Sequence, residues 1–491
     1  MRAGLLRTWL PVFRPACVAQ LLLCASVAAA STPLIDAVKN GDRAGVRARL
    51  QQKAEVDAAE PDGTTALHWA VRADDLELTR MLLRAGANAR RANRYGVTPL
   101  QLAAVNGSVT AAAALLEAGA DPNAVLPEGE TILMTAARTG QPDVLRLLLD
   151  RGAALETREK WYGETALIWA VAENHADAAT VLLEAGADVN VRSADLTFTR
   201  RRTGQSVLSL GHWTPLMYAA RENALEAARA LLSAKADLNA TDPDGATALV
   251  IAIINANYEF AAFLLDAGAD PNVVDTEAGM GPLYAAIDMH RLAIGHGRPN
   301  PRPSGRLDAL DIVARLLDRK ADANAALKAP TFQRHHTMGD FALAKGATPF
   351  MRAAKSGDVE VMKLLLAAGA DPAATMPNRS TALMFAAGLG WRDGSPAAPS
   401  YDQGTPEEAI QAITLLLERG ADLNAANDNG ETALHVAVTN RGAPEIVRFL
   451  ISKGANLTAQ NKRGQTPLAA AMASRKELGP LIEILKAAQA Q

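Results

Sequence analysis

Four histidines, His290, His296, His335 and His336, lie close together along the chain. Imidazole suits zinc or copper, but their spacing is not that of ligands. There is no HExxH and no histidine pair four residues apart, and both cysteines, Cys17 and Cys24, sit near the N-terminus. No metal and no cofactor is expected. Arg200, Arg201 and Arg202 form a run that suits a phosphate or carboxylate partner, or a solvated loop tip. No glycine-rich phosphate cradle follows a strand. No GxSxG elbow and no Ser–His–Asp arrangement with a recognisable context is present. The carboxylates recur in turns, and none pairs off as acid and base. The chain does not read as an enzyme. What remains is the chemistry of recognition. Arg72, Tyr95, Arg138, Trp161, Tyr162, Trp213 and Arg221 are candidates for partner contact, on the grounds that Trp, Tyr and Arg dominate binding hot spots.

The elements that carry these residues follow from a repeat. "GTTALHWAV" at 63–71 returns as "GVTPLQLAA", "GETALIWAV", "GATALVIAI" and "GETALHVAV". Its threonine falls at 32, 65, 98, 131 and 165, in steps of 33, 33, 33 and 34, and the series continues at 214, 247, 281 (a glycine), 348, 381, 432 and 466. A fixed period of this size marks a solenoid whose units bury their apolar faces against neighbours. Within one unit, Asp62-Gly63 is a turn. Thr65 is placed to cap a helix, and in six copies the next residue is proline, which fits the first helical position. Small residues follow, where a neighbouring helix must come close. A second helix, "LELTRMLLRAG", carries a leucine stripe and ends at Gly86, placed for a left-handed C-terminal turn. A loop then leads to the next threonine.

The second halves repeat too: "LLRAGAN" at 82–88, "LLEAGAD" at 115–121 and 182–188, "LLDAGAD" at 264–270, "LLAAGAD" at 365–371 and "LLERGAD" at 416–422. With "TPLHxA" opening one helix and "LLxxGAD" closing the other, residues 31–491 resemble an ankyrin-repeat protein. The resemblance implies an all-α repeat solenoid of stacked helix-turn-helix units joined by β-hairpin-like fingers. It implies a non-catalytic scaffold that binds a protein partner through its concave face. Finger tips and the residues after the small pair would line that groove: Arg72, Asn106, Arg138, Arg221, Glu222, Asn255 and Lys355. Tyr95, Trp161, Tyr162 and Trp213 would sit at finger tips. Trp69 and Trp169 would belong to the core, and His68 and His435, in the motif position, would be structural. Three departures stand out: Gly281 replaces a capping threonine, and Lys235 and Lys320 replace the left-handed glycine.

Four inserts break the period. Those at 191–213 and 325–347 lengthen fingers, and those at 291–306 and 389–406 lengthen the opposite edge. The second pair is rich in Pro, Gly and Ser. The first carries apolar residues (Leu196, Phe198, Val207, Leu208, Leu210; Phe332, Met338, Phe341, Leu343) and is expected to fold back on the array. An alternative function follows: a small molecule or carbohydrate bound, or turned over, beneath the two finger inserts.

Residues 1–30 stand apart from the repeat. Arg2, Arg7 and Arg14 precede "ACVAQLLLCASVAAA". This reads as a secretory signal peptide cleaved near Ala30; the alternatives are a membrane anchor and a lipid anchor at Cys24. Export to the periplasm or outside the cell is the expectation, and without the leader the chain holds no thiol. The whole chain carries 50 basic and 53 acidic residues. Removing the leader's arginines moves the net charge to about −6, which weighs against nucleic acid or acidic lipid as a partner. A monomer without a stable membrane span is expected.

Overall fold

The computed structural model describes residues 32–198, 208–291, 302–330, 342–390, 404–474 and 478–490. The leader, Arg200–Arg202, Val207, His296, Phe332, His335, His336, Met338, Phe341 and most of the insert at 389–406 lie outside the described residues. The chain divides into two compact units, 1–127 and 128–491.

The first unit stacks three helix pairs: Pro33–Lys39 with Arg43–Gln51, Ala66–Arg72 with Leu76–Arg84, and Pro99–Asn106 with Val109–Glu117. In the second unit the leading helices are Ile132–Arg138, Ala166–Ala172, Pro215–Glu222, Ala248–Ile254, Pro282–His290, Pro349–Lys355, Ala382–Ala387, Ala433–Val436 and Pro467–Met472. Each is followed by its partner helix, from Pro142–Asp150 to Gly479–Gln489. The fold is an all-α repeat solenoid. One antiparallel hairpin, Asp195–Phe198 with Leu208–Gly211, is added by the insert at 191–213.

The caps start the helices. Thr98 Oγ1 accepts from Gln101 N–H at 3.2 Å, Thr131 from Met134 at 3.1 Å, and Thr381 from Met384 at 3.2 Å. Each such cap is worth about 1 kcal/mol. Gly281 offers no side-chain oxygen, and its helix begins on Pro282 in the first position instead. At His68 the cap also ties neighbours together. Thr65 N–H donates to His68 Nδ1 at 3.2 Å, and Nε2–H donates to the Val97 carbonyl of the next repeat at 3.1 Å. His435 repeats the arrangement, with Thr432 N–H at 3.3 Å and the Gln465 carbonyl at 3.1 Å.

Alanines such as Ala70, Ala103, Ala104, Ala136 and Ala137 are fully buried between helices, so neighbouring helices can approach closely. A ladder joins the loops after the second helices. Asn190, Asn239, Asn272 and Asn324 each accept, through Oδ1, the backbone N–H of the equivalent aspartate one repeat on, at 2.8–2.9 Å. Lys235 and Lys320 adopt the left-handed conformation of the glycines they replace, at φ of 65° and 66°.

Candidate functional site

In the first unit the site is built around Trp69, at the fourth position after its capping threonine. Its indole N–H donates to Glu60 Oε2 at 2.7 Å, which fixes the ring. Two cations lie over that ring, Lys39 Nζ at 4.3 Å and the Arg72 guanidinium at 5.2 Å from its centre. Lys39 is paired with Glu60 at 2.5 Å. Arg72 is exposed and has no carboxylate partner among the described residues. Its backbone is held from the next repeat: Asn106 Nδ2 donates to the carbonyls of Val71 at 2.8 Å and Arg72 at 3.4 Å. Beside Asn106, Val105 is exposed. Tyr95, 47% exposed, lies at a finger tip with the Arg94 guanidinium over its ring.

The second unit repeats the arrangement twice. The Arg138 guanidinium lies over Trp169 at 5.5 Å and pairs with Glu130 at 3.2 Å. Its carbonyl accepts from His175 Nε2, 3.1 Å away in the next repeat. Arg221 covers two rings, Trp213 at 5.4 Å and Tyr218 at 5.0 Å, and pairs with Glu222 at 2.9 Å. Asn257 Nδ2 donates to the carbonyls of Ala220 at 2.9 Å and Arg221 at 3.1 Å. Burial pushes the Tyr218 phenol well above its usual range, and the Glu164 carboxylate adds to the effect. Three arginines thus lie against aromatic rings, each with its own carbonyl anchored one repeat further on.

Trp161 and Tyr162 owe their place to one side chain absent from the candidate set. Glu159 is buried and accepts the backbone N–H groups of Trp161 at 2.6 Å, Tyr162 at 2.7 Å and Glu164 at 3.0 Å. The extra residue of the 34-residue step falls in this tip, which therefore carries two adjoining aromatics. Trp161 is 60% exposed, and Tyr162 is intermediate. Asn93 does the same work at Tyr95, accepting from Tyr95 and Val97 N–H, both at 3.0 Å.

The structure corrects four placements. Trp213 is buried at 8% exposure, packed edge-on against Tyr218 at 5.6 Å, and does not stand at a finger tip. Its backbone N–H donates to Ser193 Oγ, and its backbone carbonyl accepts from Ser193 N–H, both at 3.0 Å. Trp69 and Trp169 are half-buried beneath cations, outside the core. Lys355 is buried rather than groove-lining, because its stretch of the array is covered. The finger and opposite-edge inserts also meet: Ala342 lies so close to Gly390 that a side chain there would collide with it. Asn255 is half-buried, its amide donating to the Ile251 carbonyl of its own helix at 2.8 Å.

The covering increases along the chain. At the fourth position after the cap, Trp69, Leu102 and Trp169 are half-buried and Thr135 among them is buried, whereas Tyr218, Ile251, Ala285, Arg352, Phe385, Val436 and Ala470 are all buried. Arg352 is charged and enclosed, and donates through Nε to Asp288. His290 is likewise tied down: its Nδ1 lies 2.6 Å from Oδ2 of the buried Asp358, which Arg291 also approaches at 3.8 Å. The hydrogen bond to Asp358 holds the His290 imidazole above its ordinary pKa.

The repeats also match family models. The model for ankyrin repeats (3 copies) matches residues 34–125, 119–193 and 201–275; that for ankyrin repeats (many copies) matches 416–471; and that for a single ankyrin repeat matches 345–376. Together these spans take in more than half of the chain. The chain belongs to the ankyrin-repeat family. Among solved structures, it is similar to the human ASB11 ankyrin repeat domain, at 24% identity and a TM-score of 0.41, over 49% of this chain and 100% of that one. No curated relative matches. Ankyrin repeats generally mediate protein–protein interaction, and the fold is typically non-catalytic. No helix among the described residues of this ankyrin array is long and apolar enough to cross a membrane.

Proposed function

We propose that the chain is an exported, non-catalytic scaffold that holds a protein partner along the groove formed by its leading helices and fingers. One observation carries this reading: arginines 72, 138 and 221 are each laid on an aromatic ring and anchored from the next repeat. A guanidinium stacked on a ring loses little freedom on binding; Arg138 and Arg221 are further held by Glu130 and Glu222, while Arg72 has no carboxylate partner among the described residues. Trp161, Tyr162 and Tyr95 supply aromatic surface at finger tips, and Asn106 and Glu222 supply polar contacts. The partner acts in the same compartment, reached through cleavage near Ala30.

The test is affinity purification of the mature protein from its own compartment, followed by titration of a co-eluting protein against Trp161→Ala and Arg138→Ala. Truncating an anchor is expected to cost about 2 kcal/mol, roughly thirtyfold in affinity, with the helical signal in circular dichroism unchanged. Equal affinity in both variants would move the site elsewhere. N-terminal sequencing of the same sample checks export, and a chain beginning at Met1 or Cys24 counts against it.

A second reading, a small ligand beneath the insert at 191–213, has one observation in its favour. The buried Trp213 indole N–H has no hydrogen-bond partner among the described residues, and such a group asks for an acceptor. A ligand that protects Trp213 fluorescence from quenching would support it.

A further inference from the structure

Of the groove cations, Arg72 differs from the rest. Lys39, Arg138 and Arg221 each have a carboxylate of this chain within ion-pair distance, Glu60, Glu130 and Glu222 respectively. Arg72 has its face on Trp69, its carbonyl held by Asn106, and no carboxylate on its guanidinium among the described residues. One repeat further on, the corresponding position is Val105, which is 38% exposed. A cation without a counter-charge therefore adjoins an exposed aliphatic side chain on the neighbouring helix of the same unit.

Resting on the groove reading above, we propose that Trp69, Arg72 and Val105 receive an acidic segment of a protein partner. The segment lies extended across the repeats, with a carboxylate on Arg72 and an aliphatic side chain on Val105. The Arg72 edge suits a carboxylate because a planar guanidinium gives two parallel N–H bonds to it. Packed helices lie about 8–10 Å apart, and an extended chain advances about 3.3 Å per residue. The aliphatic residue therefore stands about three positions from the acid.

A displayed library of random peptides panned against the full chain tests this. Enriched peptides are expected to carry Asp or Glu about three residues from an aliphatic residue. Their affinity should fall about tenfold or more in Arg72→Gln, a loss of about 1.4 kcal/mol or more. It should fall less in Arg72→Lys, and should also fall in Val105→Ser. Circular dichroism and gel filtration confirm that each variant is folded. Enriched peptides without an acid, or with affinity unchanged by Arg72→Gln, would overturn the acidic preference and leave the groove reading standing. A chain that retains no peptide would count against both.

Discussion

Single residues carry the most direct tests. Gly140 has a φ of +69°, and a Cβ there would lie 2.5 Å from His175 Nδ1. Gly140→Ala therefore combines a left-handed backbone with a collision against the ring that anchors Arg138, and a loss of about 2 kcal/mol or more is expected in urea unfolding. The histidines make opposite contributions to pH dependence. Burial lowers the pKa of His68 and His435 from 6.5, so their stabilisation is present above pH 6.5 and is lost as pH falls through the folded value. The His290 pKa is raised above 6.5, so its stabilisation is complete below pH 6.5 and is lost as pH rises through the folded value. Urea midpoints between about pH 5 and 8 separate them. The advantage of the wild type over His290→Gln should shrink with rising pH, and its advantage over His68→Gln should grow. Parallel curves for the two would refute the assignment. The role of His68 is readable in sequence because the cap it joins is three residues away. That of His290 is not, since its partner Asp358 lies 68 residues on.

At the scale of the helix pair, what is local is legible. The threonine period locates leading helices because a cap, a first-turn proline and a small-residue pair all act within one turn. Glycine positions locate the left-handed turns for the same reason. Lys235 and Lys320 follow that pattern against their own preference, so Lys235→Gly and Lys320→Gly should each raise stability by up to about 1 kcal/mol, as read from denaturant midpoints. A drop would mean that the lysine side chains contribute contacts worth more than the backbone strain. Burial along the groove is less legible. Trp69, Trp169 and Tyr218 hold equivalent positions in sequence, yet the first two are half-buried and the third is covered. The difference comes from neighbouring segments, among them the ring of Trp213, which a repeat pattern does not encode. Glu159 is not legible in sequence for a related reason: a carboxylate in a finger resembles any other turn residue, and its three backbone donors are brought to it only by the folded tip.

For the molecule as a whole, nearest-neighbour stacking makes stability approximately additive over repeats. Removing Asp62–Arg94 in register takes out one complete pair, Ala66–Arg72 with Leu76–Arg84. The shortened chain is expected to fold, with a denaturant m-value lower by about one twelfth. Loss of the last pair, Pro467–Met472 with Gly479–Gln489, should cost solubility more, since it bares an apolar face. Failure of the internal deletion to fold, with no effect of the terminal one, would refute additivity.

The change along the chain at the fourth position after the cap bears on how such a protein diversifies. Where that position is half-buried, at Trp69, Leu102 and Trp169, one side of the side chain faces solvent, and a change there alters the surface with less disturbance of packing. Where it is enclosed, at Arg352 or Phe385, the same substitution disturbs packing before it alters any contact. The repeats of Trp69, Leu102 and Trp169 can therefore track a changing partner through single mutations, while those with an enclosed side chain, that of Thr135 included, are locked to their present sequence. A recognition repertoire grown by directed evolution should draw its accepted changes from the first group.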